Sequence, residues 1–119
     1  MKNKNVIITG GNAGIGLATS VALAKMGANV YIVARSKEKA EEAVAEIKSV
    51  SANSNVKYFL ANLSSQKSIR QLASEIKNEM SVIDVLINNA GGTFSDFALS
   101  KDGLEMTIAT NHFAYFLLT

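Results

Sequence analysis

The 119-residue sequence predicts an α/β fold, a doubly wound parallel sheet, from three observations. Short apolar runs rich in β-branched residues alternate four times with longer segments of helical periodicity. Such alternation implies right-handed βαβ crossovers and a parallel sheet covered on both faces. The first apolar run leads straight into ITGGNAGIG, which places Gly10, Gly11, Gly14 and Gly16 within seven positions. A turn that rich in glycine serves positive φ or a close backbone approach. The third observation is the absence of any linker, repeat or low-complexity stretch, so residues 1–119 read as one domain or the amino-terminal part of one.

Each element has a local justification. Val6–Thr9 reads as a buried strand, and residues from about Gly14 to Met26 have helical spacing, with Gly27 placed for a left-handed cap. NVYIVA, Asn29–Ala34, is a second strand. Ser36 is positioned to cap the helix KEKAEEAVAEIKSV, whose inner stripe is Ala40, Ala43, Val44 and Ile47. NVKYFLA is the third strand. Ser64 or Ser65 then caps QKSIRQLASEIKNEM, with Ile69, Leu72, Ala73 and Ile76 on one face. VIDVLINN, Val82–Asn89, is the fourth strand, apolar on both sides apart from Asp84. After AGGTFSDFALSKD a fourth helix runs from about Gly103 to Thr119. Its Met106, Ile108, Ala109, Phe113, Phe116 and Leu117 spread round most of the circumference, so it expects cover on more than one side.

Composition narrows the function. An apolar fraction of 48% suits a globular core, and a net charge of +2 on scattered lysines argues against nucleic acid or an anionic membrane as partner. No cysteine is present, which removes disulfides and thiolate metal sites, and the single His112 has no acid at helical spacing with which to bind metal. No window approaches the roughly 18 apolar residues of a membrane span. The amino terminus lacks the apolar stretch of a secretory signal, so a cytoplasmic location is the default expectation.

The glycine turn sits between strand and helix, where free N–H groups and the helix dipole attract a pyrophosphate. Its spacing differs from G-x-G-x-x-G, and no lysine follows the last glycine as a P-loop requires. A tight turn with close helix packing would also explain it. The second strand adds evidence. A Rossmann-type site for NAD places an acid about 20 residues past the glycines to hold the ribose 2′-hydroxyl. Here the strand ends in Ala34, Arg35 and Ser36. A guanidinium pairs with a 2′-phosphate that a carboxylate would repel, so NADP(H) is favoured over NAD(H), with Lys37 or Lys39 able to share the task. The missing acid also argues against a methyltransferase-like domain.

TGGNAGIG at Thr9–Gly16, ANLSS at Ala61–Ser65, NNAG at Asn88–Gly91 and Asn111 together resemble the short-chain dehydrogenase/reductases, in the family's order and intervals, from Val6 to Thr119. DGLEMTIATNHFAYFLLT further resembles the branch with retinol dehydrogenases and protochlorophyllide reductases. The resemblance implies that Thr9, Gly10, Gly14, Ile15 and Gly16 surround the pyrophosphate and that Arg35 and Ser36 meet the 2′-phosphate. It implies that Asn62 and Leu63 flank the adenine, while Asn89, Ala90 and Gly91 line the ribose and the base of the cleft. Asn111 matches the asparagine that orders a water in the family's proton relay. Asn62 stands where the family usually has aspartate; its amide oxygen remains able to accept from the adenine amino group.

The family's tyrosine, with lysine four residues later and a serine upstream, has no counterpart: Tyr31, Tyr58 and Tyr115 are followed at that distance by Arg35, Asn62 and Thr119. The sequence is therefore expected to be the cofactor-binding half of an oxidoreductase acting on an alcohol or carbonyl, a homodimer or homotetramer when complete. The alternative is a non-catalytic nucleotide-binding module that ends here. Two adjacent amides, Asn88 and Asn89, after the apolar VLI are expected to reach neighbouring strand ends or a ligand, since burying them unpaired is unfavourable.

Overall fold

A computed structural model describes residues 2–12, 14–87 and 89. The expected fourth helix, the loop before it, and Ala90, Gly91, Asn111 and His112 lie outside the described residues. Strands β1 (Asn5–Thr9), β2 (Asn29–Ala34), β3 (Val56–Leu60) and β4 (Val85–Ile87) alternate with helices α1 (Gly14–Lys25), α2 (Lys37–Ser51) and α3 (Gln66–Glu79). The sheet is parallel with order β3-β2-β1-β4. The chain steps outward from β1 to β3 and then returns to the far side of β1. That reversal makes the carboxyl ends of β1 and β4 a switch point, where open α/β sheets bind ligands.

The sheet, α1 and α2 form one compact unit, Met1–Leu60 with Val82–Asn89, and α3 belongs to a second. In the first unit the pleat puts Val6 and Ile8, Val30 and Ile32, and Val56 on one face, where they pack with Ala24, Ala28, Ala43 and Ile47. Ile7 and Val33 point the other way and are equally buried, so the central strands are covered on both faces. On that second face Tyr31 and Phe59 stack at 5.8 Å between ring centroids. Burying five fully enclosed branched side chains on the first face contributes about 1.5–3 kcal/mol each.

Helix ends follow the sequence closely. Gly27, at φ +87, terminates α1, with its N–H donating to the Ala24 carbonyl (3.0 Å) and the Ala28 N–H to that of Leu23 (3.2 Å). That pair of bonds is a Schellman motif, and it satisfies carbonyls the helix leaves open. The buried stripe of α1 is Gly16, Ser20 and Ala24, all small, which lets the helix lie close on the sheet. In α2 the inner residues Ala40, Ala43 and Ile47 are buried and Val44 packs against the core at its margin. In α3, Ile69, Leu72 and Ile76 are buried. Among the described residues no helix is long and apolar enough to cross a membrane.

One expectation needs correction. The fourth strand is Val85–Ile87, shorter than Val82–Asn89. Val82 and Ile83 are 56% and 46% exposed, and at the strand's entry side chains reinforce a backbone bond from the Asp84 N–H to the Asn5 carbonyl at 3.0 Å. The Asp84 carboxylate accepts the Asn5 N–H at 2.8 Å, and the Asn5 side-chain amide donates to the Val82 carbonyl at 2.9 Å. Lys4 stands 4.0 Å from Asp84. The apolar letters suit a sheet, but before Val85 the contact with β1 is made through Asp84, whose N–H donates to the Asn5 carbonyl while its carboxylate accepts the Asn5 N–H.

Candidate functional site

The turn after β1 is held on two sides. The Gly10 N–H donates to the Val33 carbonyl at 2.9 Å, prolonging the β1–β2 ladder by one bond. The Gly10 carbonyl accepts from the Asn89 side-chain amide at 3.3 Å. Thr9 is fully buried; its hydroxyl accepts the Asn89 N–H (2.9 Å) and donates to the Ile87 carbonyl (3.3 Å). The Thr9 side chain therefore ties the ends of β1 and β4 together. Asn89 meets the expectation that its amide reaches a neighbouring strand end.

The four glycines divide the work. Gly10 and Gly14 have φ of +68 and +56, a region that L side chains adopt at a penalty of about 1–2 kcal/mol. Gly11 and Gly16 are required for packing. A Cβ on Gly11 would lie 2.5 Å from Ile32 Cγ2, and one on Gly16 would collide with the Gly10 carbonyl oxygen and the Asn89 amide nitrogen. Gly14 differs from both: a Cβ there would meet nothing within 4 Å. It faces open space at the first turn of α1, beside Ile15, which is 80% exposed. The first N–H groups of a helix have no intrahelical partner, and Ala13, just ahead of α1, carries no side-chain acceptor to cap them. Backbone donors facing open space at the switch point form a cradle that fits a pyrophosphate.

Sequence reasoning missed two supports of this turn. Ser20 is fully buried, and its hydroxyl donates to the Gly16 carbonyl at 2.7 Å, with the Gly11 carbonyl at 3.5 Å. Gly11 had been read only as part of a glycine cluster. The signal was present in the spacing of Gly16, Ser20 and Ala24, small residues at four-residue intervals, which marks a helix face pressed against a sheet.

The turn after β2 carries charge. Arg35 and Ser36 are both exposed at the carboxyl end of the strand. Arg35 is in no ion pair among the described residues. Ser36 caps α2: its backbone is extended (φ −104, ψ 126) and its hydroxyl accepts the Lys39 N–H at 3.5 Å. Lys37 lies 4.0 Å from Glu41 one helical turn on. Glu41 also accepts a 3.2 Å bond from the Tyr58 hydroxyl of β3. Burial first, then the hydrogen bond and charge of Glu41, raise the Tyr58 phenol above its ordinary range.

In the second unit, Asn62 and Leu63 begin the turn into α3. The Asn62 side-chain oxygen accepts both the N–H (3.0 Å) and the hydroxyl (2.6 Å) of Ser64, and its own N–H donates to the Ser68 hydroxyl at 2.8 Å. Both lone pairs of that oxygen are thus engaged, and the side-chain NH2 is what Asn62 has to offer. Ser65, and not Ser64, is the cap of α3, accepting the Ser68 N–H at 3.4 Å.

Comparison with known proteins agrees with these motifs. The sequence matches the short chain dehydrogenase family over residues 4–119. Human retinol dehydrogenase 13 is 41% identical over 116 residues, covering 98% of this chain and 35% of that protein. Bovine retinol dehydrogenase 12 is 43% identical over 116 residues, 98% of this chain and 37% of that protein. Among solved structures, a protein from Mycobacterium paratuberculosis superposes with a TM-score of 0.85 at 36% identity, covering 99% of this chain and 41% of that one. The Pseudomonas aeruginosa RhlG/NADP active-site complex also superposes at 0.85, with 28% identity over 99% of this chain and 46% of its own. The chain spans little more than a third of the length of these retinol dehydrogenases. Glycine turn, parallel order and the match over 4–119 lead to one assignment: the chain belongs to the short-chain dehydrogenase family.

Proposed function

We propose that this chain binds NADP(H) as the cofactor-binding part of an oxidoreductase that interconverts an alcohol and a carbonyl. The family binds nicotinamide cofactors and acts on small molecules. The finer reading rests on one observation: the carboxyl end of β2 carries Arg35, exposed and in no ion pair among the described residues, where an NAD site places an acid. The backbone at Gly14 and Ile15 would hold the diphosphate, and Arg35 with Ser36 the 2′-phosphate. When bound, the nicotinamide supplies or accepts a hydride. Asn62 reaches the adenine through its NH2 and not its oxygen, and Leu63 gives the ring an apolar neighbour. Asn89 acts on the site through the Gly10 carbonyl. Ala90, Gly91 and Asn111 complete the reading as cleft and proton-relay residues.

The relatives named retinol dehydrogenases support an alcohol or carbonyl substrate for the whole protein, which we take to be a cytoplasmic homodimer or homotetramer. The cofactor reading is tested by fluorescence titration with NADPH and NADH. Loss of one hydrogen bond to a charged group removes about 1.5–3 kcal/mol, so Arg35→Glu should weaken NADPH at least about tenfold and shift preference to NADH. Equal affinity for the two cofactors in the unmutated protein would remove the role given to Arg35.

A further inference from the structure

The turn after β2 and the first turn of α2 carry three cations in five positions, Arg35, Lys37 and Lys39, and the structure treats them differently. Neither Arg35 nor Lys39 is in an ion pair with a described residue. Lys37 alone is held, by Glu41 at 4.0 Å one turn further along α2. That carboxylate is fixed from the sheet, because the Tyr58 hydroxyl donates to it at 3.2 Å. Tyr58 packs against the hydrophobic core, so the hydroxyl that donates to Glu41 is held from the sheet. Lys37 and Glu41 are 70% and 55% exposed, which limits their attraction but leaves the carboxylate's charge beside the turn.

Resting on the NADP reading, we infer that Glu41 is a specificity-tuning residue: anchored by Tyr58, it draws Lys37 back along α2 and offsets its charge, so that Arg35 leads in meeting a 2′-phosphate. Glu41 touches no part of the dinucleotide in this scheme. It is a positioning residue, and its effect falls on the phosphorylated cofactor alone. A carboxylate in this position weakens the preference that three cations would otherwise give, as repulsion near an anionic ligand does in any specificity site.

The test is titration of the purified protein and its Glu41→Gln variant with NADPH and NADH, and with 2′,5′-ADP against 5′-AMP as probes of the 2′-phosphate by itself. Glu41→Gln should strengthen NADPH and 2′,5′-ADP about threefold, the size of a surface charge pair, and leave NADH and 5′-AMP unchanged. Adding Lys37→Met should cancel the gain. Tyr58→Phe should give a smaller gain in the same direction. Circular dichroism of each variant should match the unmutated protein, and so should melting of the Glu41→Gln and Lys37→Met proteins at neutral pH, since Glu41 and Lys37 are exposed. A gain shared equally by NADPH and NADH, no gain, or a gain that survives Lys37→Met each overturns the inference. If the unmutated protein lacks an NADPH preference, the cofactor reading itself falls and takes this one with it; an intact preference unmoved by Glu41→Gln overturns this inference alone.

Discussion

The turn after β1 and the turn after β2 join the same kinds of element and lead into helices that pack on one face of the sheet, yet they satisfy the helix amino terminus in opposite ways. At α2 the chain uses Ser36, extended at φ −104, whose hydroxyl accepts the Lys39 N–H. At α1 the preceding residue is Ala13, with no acceptor, and the turn instead contains Gly10 and Gly14 at positive φ. The second turn looks after its own donors and presents charge. The first has no side-chain acceptor at the residue before its helix and is braced from beneath by Val33, Asn89 and Ser20. Leaving a helix terminus uncapped forgoes about 1 kcal/mol, so the surrounding structure has to over-determine the strained turn. The contrast teaches that, on the proposed reading, ligand binding would depend on packing behind the glycines as much as on the glycine that faces outward.

The strongest way to break this contrast is at Gly16. A valine there would force its side chain into the Gly10 carbonyl, which is backbone, and into the Asn89 amide, which is hydrogen-bonded to that carbonyl. Overpacking of this kind destabilises by about 1–3 kcal/mol and should lower the melting temperature by several degrees. Dinucleotide affinity should fall with it, because the turn that carries the donors shifts. Gly11→Ala should behave alike through Ile32, which is fully buried. A Gly16→Val protein that melts and binds as the unmutated one does would show that nothing behind the turn matters.

Gly14→Ala sharpens the comparison from the other side. The methyl meets no neighbour, so the stability loss is confined to backbone strain at φ +56, about 1 kcal/mol. Affinity should fall further, about tenfold, because the methyl intrudes where a diphosphate approaches the first turn of α1. Melting and titration on the same two variants separate the roles: Gly16 chiefly supports, Gly14 chiefly admits. Equal effects of Gly14→Ala on stability and affinity would merge them again.

The fold was legible because its signals are local. Alternating periodicity gave the order of elements, Gly27 the end of α1, and Ala40, Ala43 and Ile47 the buried face of α2. Strand β4 is shorter than its apolar letters suggest because Val82 and Ile83 are as apolar as Leu86, and the bonds between Asn5 and Asp84, across 79 positions of sequence, mark where the strand is entered. The candidate residues were legible as positions at strand ends, and what each does structurally was not. Nothing in TGGNAGIG distinguishes Gly14 from Gly16; Asn89, far along the chain, helps to do that. Likewise the Asn62 oxygen looked available until Ser64 was seen to occupy it twice.

Ser36 lies at the centre of the comparison and should give a smaller effect. Its capping bond is long at 3.5 Å, so Ser36→Ala should cost about 0.5 kcal/mol, the low end for a cap. A long bond also leaves the hydroxyl able to turn toward a phosphate. The NADPH affinity should drop about fivefold, equivalent to one ordinary hydrogen bond of about 1 kcal/mol, with NADH unaffected. A melting shift without any change in the NADPH-to-NADH ratio would leave Ser36 a cap and nothing more.

The smallest effect concerns pH and the post behind the second turn. Burial, followed by the bond to Glu41 and its charge, raises the Tyr58 phenol in the folded protein above the ordinary value of about 10. The folded state then holds this proton more tightly than the unfolded chain does. Its contribution to stability is complete below pH about 10 and is lost as pH rises from there through the higher folded value. Melting curves from pH about 8 to about 11 should therefore fall more steeply for the unmutated protein than for Tyr58→Phe. Whatever the two proteins have in common cancels in the difference. Glu41→Gln should shrink the difference without removing it, because burial ranks ahead of Glu41 among the causes. If the two curves run parallel, Tyr58 is not held in its protonated form by the fold, and the first turn's bracing has no counterpart of the same kind behind the second.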